Sequence, residues 1–213
     1  MQLMHCGRIS HPSMLPGGAL PVAPSAIQPK GQVWTATGQQ DLVTPHELSL
    51  PEIAQVIDDY RLATRRALAA GFDGVELHTA SGYLPEQFLS SGSNQRQDAY
   101  GSSVANRARF VLEVLSAMVA EAGGDRVGIK ISPEMGFNDI TDANPEETYT
   151  YLVDQLQRFN LAYLHVALFG AKLDYHALLK PKFNGAYLVG GGLDQATAQA
   201  ALAAGRADAT VFG

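Results

Sequence analysis

A histidine, a hydroxyl and a phenol fall within the six residues His78-Thr79-Ala80-Ser81-Gly82-Tyr83. The segment just before them, Gly74-Val75-Glu76-Leu77-His78, reads as a strand, so the trio sits on a turn at a strand's carboxyl end, loosened by Gly82. Groups of these types on one turn can converge on a single polar atom of a small substrate. Two donors aimed at a carbonyl or nitro oxygen would withdraw charge from a conjugated double bond. A tyrosyl hydroxyl, whose ordinary pKa is about 10, could then deliver a proton without ionising at rest. The competing reading is structural, with His78 and Tyr83 as hydrogen-bonded polar residues finishing a strand. Residue types and spacing leave both open.

Lys130 lies between Ile129 and Ile131 in another apolar run, where a lysine is either salt-bridged or functional. A lysine on an inner strand could form a Schiff base with a carbonyl substrate, which would make the protein a lyase. Gly190-Gly191-Gly192 is either a plain turn or a cradle that lets backbone N–H groups approach an anion. His165 ends a further apolar run and is read equally well as a pocket residue or a buried, hydrogen-bonded one. Cys6 reads as a small packed hydrophobe, and Arg8 as a brace for the loop that follows the chain start.

These residues need elements to hold them. Ser49 followed by Glu52 forms a capping box, Pro51 sits in the first turn, and Ile53, Val56, Ile57, Tyr60, Ala63, Ala67 and Leu68 repeat at helical spacing until Gly71. The unit then recurs. A helix over Ser103–Ala122 precedes a strand over Val127–Ile131, and Asn144-Pro145-Glu146-Glu147 opens a helix leading to a strand over Ala162–Val166. A strand over Ala186–Val189, a helix over Asp194–Ala204 and a strand over Ala209–Phe212 complete the series, and Gln2–His5 supplies a short strand ahead of it. Six strands in strict alternation with helices predict a parallel sheet, as an open doubly wound sheet or as a (β/α)8 barrel. The strands read as continuous apolar runs, which predicts helices over both faces. The stretch 7–45 is too long for a plain connection and reads as a functional loop with small sub-elements.

Composition excludes other classes. The chain has 213 residues, 46% hydrophobic and 17% charged, enough for one domain with a real core. Its net charge of −6 is the wrong sign for tracking a nucleic-acid backbone. One cysteine rules out a disulfide framework and a multi-cysteine zinc site, so no metal is expected. No apolar run reaches the roughly 18 residues of a membrane span, and Met1-Gln2-Leu3-Met4-His5 lacks the shape of a signal peptide, so a cytoplasmic protein is expected.

Longer motifs narrow the choice. Gly71-Phe72-Asp73-Gly74-Val75-Glu76-Leu77-His78, Gly82-Tyr83-Leu84 with Gln87-Phe88-Leu89, Asn94-Gln95-Arg96-Gln97-Asp98-Ala99-Tyr100-Gly101, and Asn106-Arg107-Ala108-Arg109-Phe110 resemble the signature of the old yellow enzyme family. Residues Gln2–His11 resemble that family's third strand and following loop, and Gly128–Pro133 its fifth strand. Gly190–Gly192 and Ala207–Gly213 resemble its seventh and eighth. The resemblance implies an incomplete (β/α)8 barrel, strands three to eight, truncated at both ends. It also implies FMN as cofactor, NAD(P)H as reductant and an activated alkene as substrate. His78 would bind the substrate's carbonyl or nitro oxygen and Tyr83 would protonate the α-carbon as hydride reaches the β-carbon. Gln2 would contact the flavin's pyrimidine edge, Lys130 would lie near its N1 and O2, and Gly191, Gly192 and Gly213 would cradle its phosphate.

This chain departs from the family at several of these positions. Ser81 stands where the family has Asn or His as second oxygen-binding donor, and Met4 where an aromatic often lines the substrate pocket. Lys130 replaces an arginine, which keeps the charge and loses the fork geometry. Two further readings stand beside the enzyme: a catalytically silent fragment that pairs its open sheet edges with a partner chain or in a homo-oligomer, and the Lys130 lyase.

Overall fold

The computed structural model describes residues 1–212, so Gly213, expected at the phosphate end of the site, lies outside the described residues. Strand β1 (Gln2–Leu3) opens the chain. The segment after it carries β2 (Val22–Ala23), a hairpin of β3 (Gln32–Thr35) and β4 (Gly38–Asp41), and β5 (His46–Glu47), which pairs with β2. Helix α1 (Leu50–Ala69) leads to β6 (Val75–Thr79), α2 (Leu84–Leu89), α3 (Val104–Ala122) and β7 (Val127–Ile131). Then come α4 (Pro145–Leu156), β8 (Tyr163–Ala167), α5 (Tyr175–Leu179), β9 (Ala186–Gly190), α6 (Gln195–Ala203) and β10 (Ala209–Thr210).

The helices start where their side chains can satisfy free backbone N–H groups. The Glu52 carboxylate accepts from the Ser49 N–H at 2.7 Å and its hydroxyl at 2.6 Å, and the Asn144 side chain accepts from the Glu147 N–H. The weakly patterned stretch before β9 holds α5, capped by Asp174.

Six strands form one parallel sheet in the order β1-β6-β7-β8-β9-β10. Chain order and spatial order coincide, so the sheet has no point at which strand order reverses. A doubly wound sheet requires that reversal. The arrangement is singly wound, as in a barrel wall.

Single winding corrects the expectation of strands apolar on both faces. Leu3, Val75, Leu77, Val127, Ile129, Ile131, Leu164, Val166, Tyr187 and Val189 join one buried core with helix residues such as Ile53, Phe110, Leu115, Leu152 and Leu179. The alternate residues Gln2, Glu76, Lys130, Tyr163, His165 and Leu188 line a cavity on the other face. A strand shows successive side chains to opposite sides, so helices covering one side free the other for polar groups.

Candidate active site

The cavity on the uncovered face measures about 1130 Å³. Gln2, Ser81, Lys130, Gly191 and Gly192 all lie on its wall, so five predicted site residues meet there, while His78 and Tyr83 sit beside it and are not among its lining residues. Met135, Phe137, Phe169 and Phe212 supply an apolar part, a mixture suited to a planar organic group with a few polar edges.

His78 follows Glu76 on the same face of β6 and pairs in register with Lys130 of β7. Its ring meets that of Tyr83 edge to face, centroids 5.3 Å apart and planes at 70°. The imidazole and the phenol are therefore neighbours at one end of the sheet. The Ala80 N–H donates to His78 Nδ1 at 3.4 Å, which assigns the proton of a neutral ring to Nε2. Burial first, and the charge of Lys130 second, lower the His78 pKa. A neutral ring with one N–H donor follows.

The turn joining β6 to α2 is held tightly. Ser81 and Gly82 both have left-handed φ, 57° and 74°. A Cβ on Gly82 would sit 2.7 Å from the Phe137 carbonyl oxygen, so only glycine fits there.

Sequence reasoning gave no role to Glu76 and left His165 open. Glu76 accepts a short hydrogen bond from the Gln2 amide and lies 3.4 Å from His165 Nδ1. Burial pushes its pKa up, but hydrogen bonds from His165, Gln2 and Tyr163 outweigh this, and the net direction is down. An ionised Glu76 fixes which way the Gln2 amide points. The available signal was alternation in Val75-Glu76-Leu77-His78, which puts Glu76 and His78 on one face.

Gly191 has φ of 95°, and a Cβ there would lie 2.4 Å from the Leu168 carbonyl oxygen. Gly192 has φ of 64°. Among the described residues no backbone carbonyl accepts from the N–H of either. Lys130 forms no ion pair among the described residues. An unneutralised cation, an oriented amide and free N–H groups in one cavity fit FMN, whose heterocycle and phosphate need those partners.

Met4 does not join the others. β1 ends at Leu3, and Met4, 50% exposed, lines a separate cleft with Val56, Asp59, Tyr60 and Ala63 of α1. Nor does any residue of 7–45 line the main cavity. That segment is bound elsewhere. The buried Arg96 guanidinium donates to the carbonyls of Pro24 and Leu48 and pairs with Asp98. Arg8 donates to the Ile27 and Asp139 carbonyls, and the Gln95 N–H to Ser25 Oγ. Arg107 ties Leu89 and Ser102 to Thr148. The Asn94–Gly101 and Asn106–Phe110 motifs are scaffold.

A singly wound parallel sheet with polar donors gathered at its carboxyl end defines a barrel-type cofactor site. The chain belongs to the NADH:flavin oxidoreductase / NADH oxidase family, whose sequence profile matches residues 1–205, and hence to the old yellow enzyme family of (β/α)8 barrels. It is 38% identical over 226 residues to 12-oxophytodienoate reductase 1 of Oryza sativa subsp. japonica, covering 100% of this chain and 57% of the rice protein. Its fold matches morphinone reductase in complex with tetrahydroNAD, with a TM-score of 0.93 and 41% identity over 100% of this chain and 60% of that one. The old yellow enzyme homologue of Zymomonas mobilis gives 0.94 at 34% identity, over 100% of this chain and 61% of its own. The chain thus spans less than two thirds of the length of these relatives. No helix among the described residues is long and apolar enough to cross a membrane.

Proposed function

We propose that the protein is an FMN-dependent ene-reductase that takes hydride from NAD(P)H and delivers it to the β-carbon of an activated alkene, such as an enone or nitroalkene. The observation that carries this reading is the contact of a neutral His78, itself in register with Lys130, with the ring of Tyr83.

Bound FMN would supply the hydride relay between nicotinamide and alkene. The Gln2 amide and the Lys130 ammonium would hold its pyrimidine edge, and the N–H groups of Gly191 and Gly192 its phosphate. His78 Nε2–H would donate to the substrate oxygen, where negative charge grows as the β-carbon gains hydride, so the bond strengthens towards the transition state. Ser81, on the cavity wall, would be the second donor. Tyr83 would give its hydroxyl proton to the α-carbon and recover one from solvent, so the alkene gains one hydride and one proton. Removing one such oxygen donor typically costs about 3 kcal/mol.

The test is direct. Purified protein mixed with FMN should retain flavin absorbance through gel filtration, bleach with NADPH or NADH, and recover its colour when 2-cyclohexenone is added without oxygen. Protein that stays colourless would overturn the reading. Borohydride trapping of a carbonyl compound on Lys130 would replace it with the lyase.

A further inference from the structure

We propose that Glu86 is a positioning residue: its buried carboxyl group, through the Gly82 N–H, holds the Ser81-Gly82-Tyr83 turn in the shape that puts Ser81 on the cavity wall and Tyr83 against His78. What that turn presents rests on the ene-reductase reading. How it is held does not.

Glu86 is 1% exposed, on the first turn of α2, and lines no part of the main cavity. Three donors converge on it. The Gly82 N–H reaches Oε2 at 2.6 Å, the Tyr149 hydroxyl reaches Oε1 at 2.5 Å, and Ser132 Oγ lies 3.2 Å from Oε1. Ser132 Oγ in turn accepts from the Ser81 N–H at 2.8 Å. Two successive amides of the turn therefore end on one carboxyl group, one directly and one through a serine. The carbonyls of the same two residues are also taken, by Asn138 Nδ2 at 2.8 Å and Gln87 Nε2 at 2.7 Å.

Such holding is needed because Ser81 carries φ of 57° and Gly82 follows at 74°. A left-handed serine is strained and persists only where its surroundings over-determine it. Side chains from α2, the loop after β7 and α4 do so here.

The group also responds to pH. Burial pushes the Glu86 carboxyl up to about 7, with Asp142 adding to the rise, while hydrogen bonds from Tyr149, Gly82 and Ser132 oppose it. The facing groups are Tyr149 of α4, Ser132 after β7 and Asp142 ahead of α4, the last 3.7 Å from Arg107 of α3, and Glu134 and Lys172 share a small cavity with Glu86. An ionised carboxylate accepts from all three donors. Protonation makes one carboxyl oxygen a donor, so a facing hydroxyl must turn its own hydrogen away, and the charge-assisted hold on the Gly82 N–H weakens.

Amide hydrogen exchange over residues 79–84, read by mass spectrometry on the full chain without flavin, tests this. Corrected for intrinsic rates, wild-type uptake should rise as pH falls through about 7. Glu86→Gln, which like the protonated acid still accepts from Gly82 but carries hydrogen on its other terminal atom, should exchange at the wild-type low-pH level with no pH dependence in that range. Glu86→Ala should exchange at least tenfold faster there. With FMN loaded, the alkene-step kcat of Glu86→Ala should drop at least tenfold with KM nearly unchanged, and Glu86→Gln should restore most but not all of it. A folded Glu86→Ala with wild-type exchange at residues 79–84 overturns the proposal. If Glu86→Ala does not fold, Glu86→Gln decides: a flat profile supports the proposal and a wild-type titration overturns it. Exchange needs no cofactor, so a colourless protein would defeat the ene-reductase reading while this measurement still stood.

Discussion

His78 and Lys130 face each other in register across the parallel ladder of β6 and β7. Placing a cation beside an imidazole works against a second positive charge, so the pair keeps His78 a neutral donor. Burial contributes the larger part of that effect and Lys130 the next. Replacing Lys130 with Met should therefore raise the His78 pKa without bringing it fully to its ordinary value of about 6.5. An NMR titration of the histidine ring protons reads this. An unmoved His78 titration would take Lys130 out of its environment.

Tyr83→Phe keeps the ring that packs against His78 and removes only the hydroxyl. Flavin reduction by NADPH should stay near wild type, while reoxidation by the alkene slows on the order of 10²–10⁴-fold, the usual worth of a positioned general acid. Stopped-flow absorbance separates the two half-reactions. Equal slowing of both would dismiss Tyr83 as the proton donor.

Ser81→Asn offers a longer donor at a residue whose φ is 57°. Asparagine tolerates left-handed backbone better than serine, so the exchange should not loosen the turn. A phenol binding with its oxygen at His78 should gain one hydrogen bond, worth up to about tenfold in affinity. Titration of the long-wavelength absorbance of the phenol–flavin complex measures it. Unchanged affinity would mean that residue 81 does not reach the ligand's oxygen.

Gly191→Ala should release flavin. The added Cβ would stand 2.4 Å from the Leu168 carbonyl oxygen, on a residue whose φ is 95°. Gly17→Ala is the control, with φ of 65° in open space. Both carry a backbone cost of roughly 1–3 kcal/mol, a fall of several degrees in Tm, but only Gly191→Ala should lower the FMN-to-protein ratio. Equal flavin loss in both would place the phosphate elsewhere.

Much of this fold was legible because its signals are local. The Ser49–Glu52 box, the Asn144 cap and the apolar runs each name their element within a few residues, and the structure moves most of those boundaries by a single position. Parity was read less well. Val75-Glu76-Leu77-His78 alternates on paper, yet taking it as a continuous apolar run hid Glu76 from view. Met4 was placed by resemblance to a pocket residue, but its position depends on how β1 leaves the sheet, which no local pattern records. The role of Arg96 was illegible for the same reason, since its acceptors on Pro24 and Leu48 lie 72 and 48 residues away. Glu86 escaped notice because a carboxylate in the first turn of a helix looks like an ordinary surface cap. Its burial is set by Tyr149 and Ser132, from elements that follow much later in the chain.

Helical cover on one side of the sheet divides labour between neighbouring positions along each strand. Leu77 answers to the hydrophobic interior and His78 to the opposite face that bears Lys130, although they are consecutive. New ligand preferences can therefore be explored at every second strand residue while the intervening ones keep the scaffold standing. A mutational scan along β6, β7 and β8 should show this as a stability profile and an activity profile that peak out of step, each with a repeat of two.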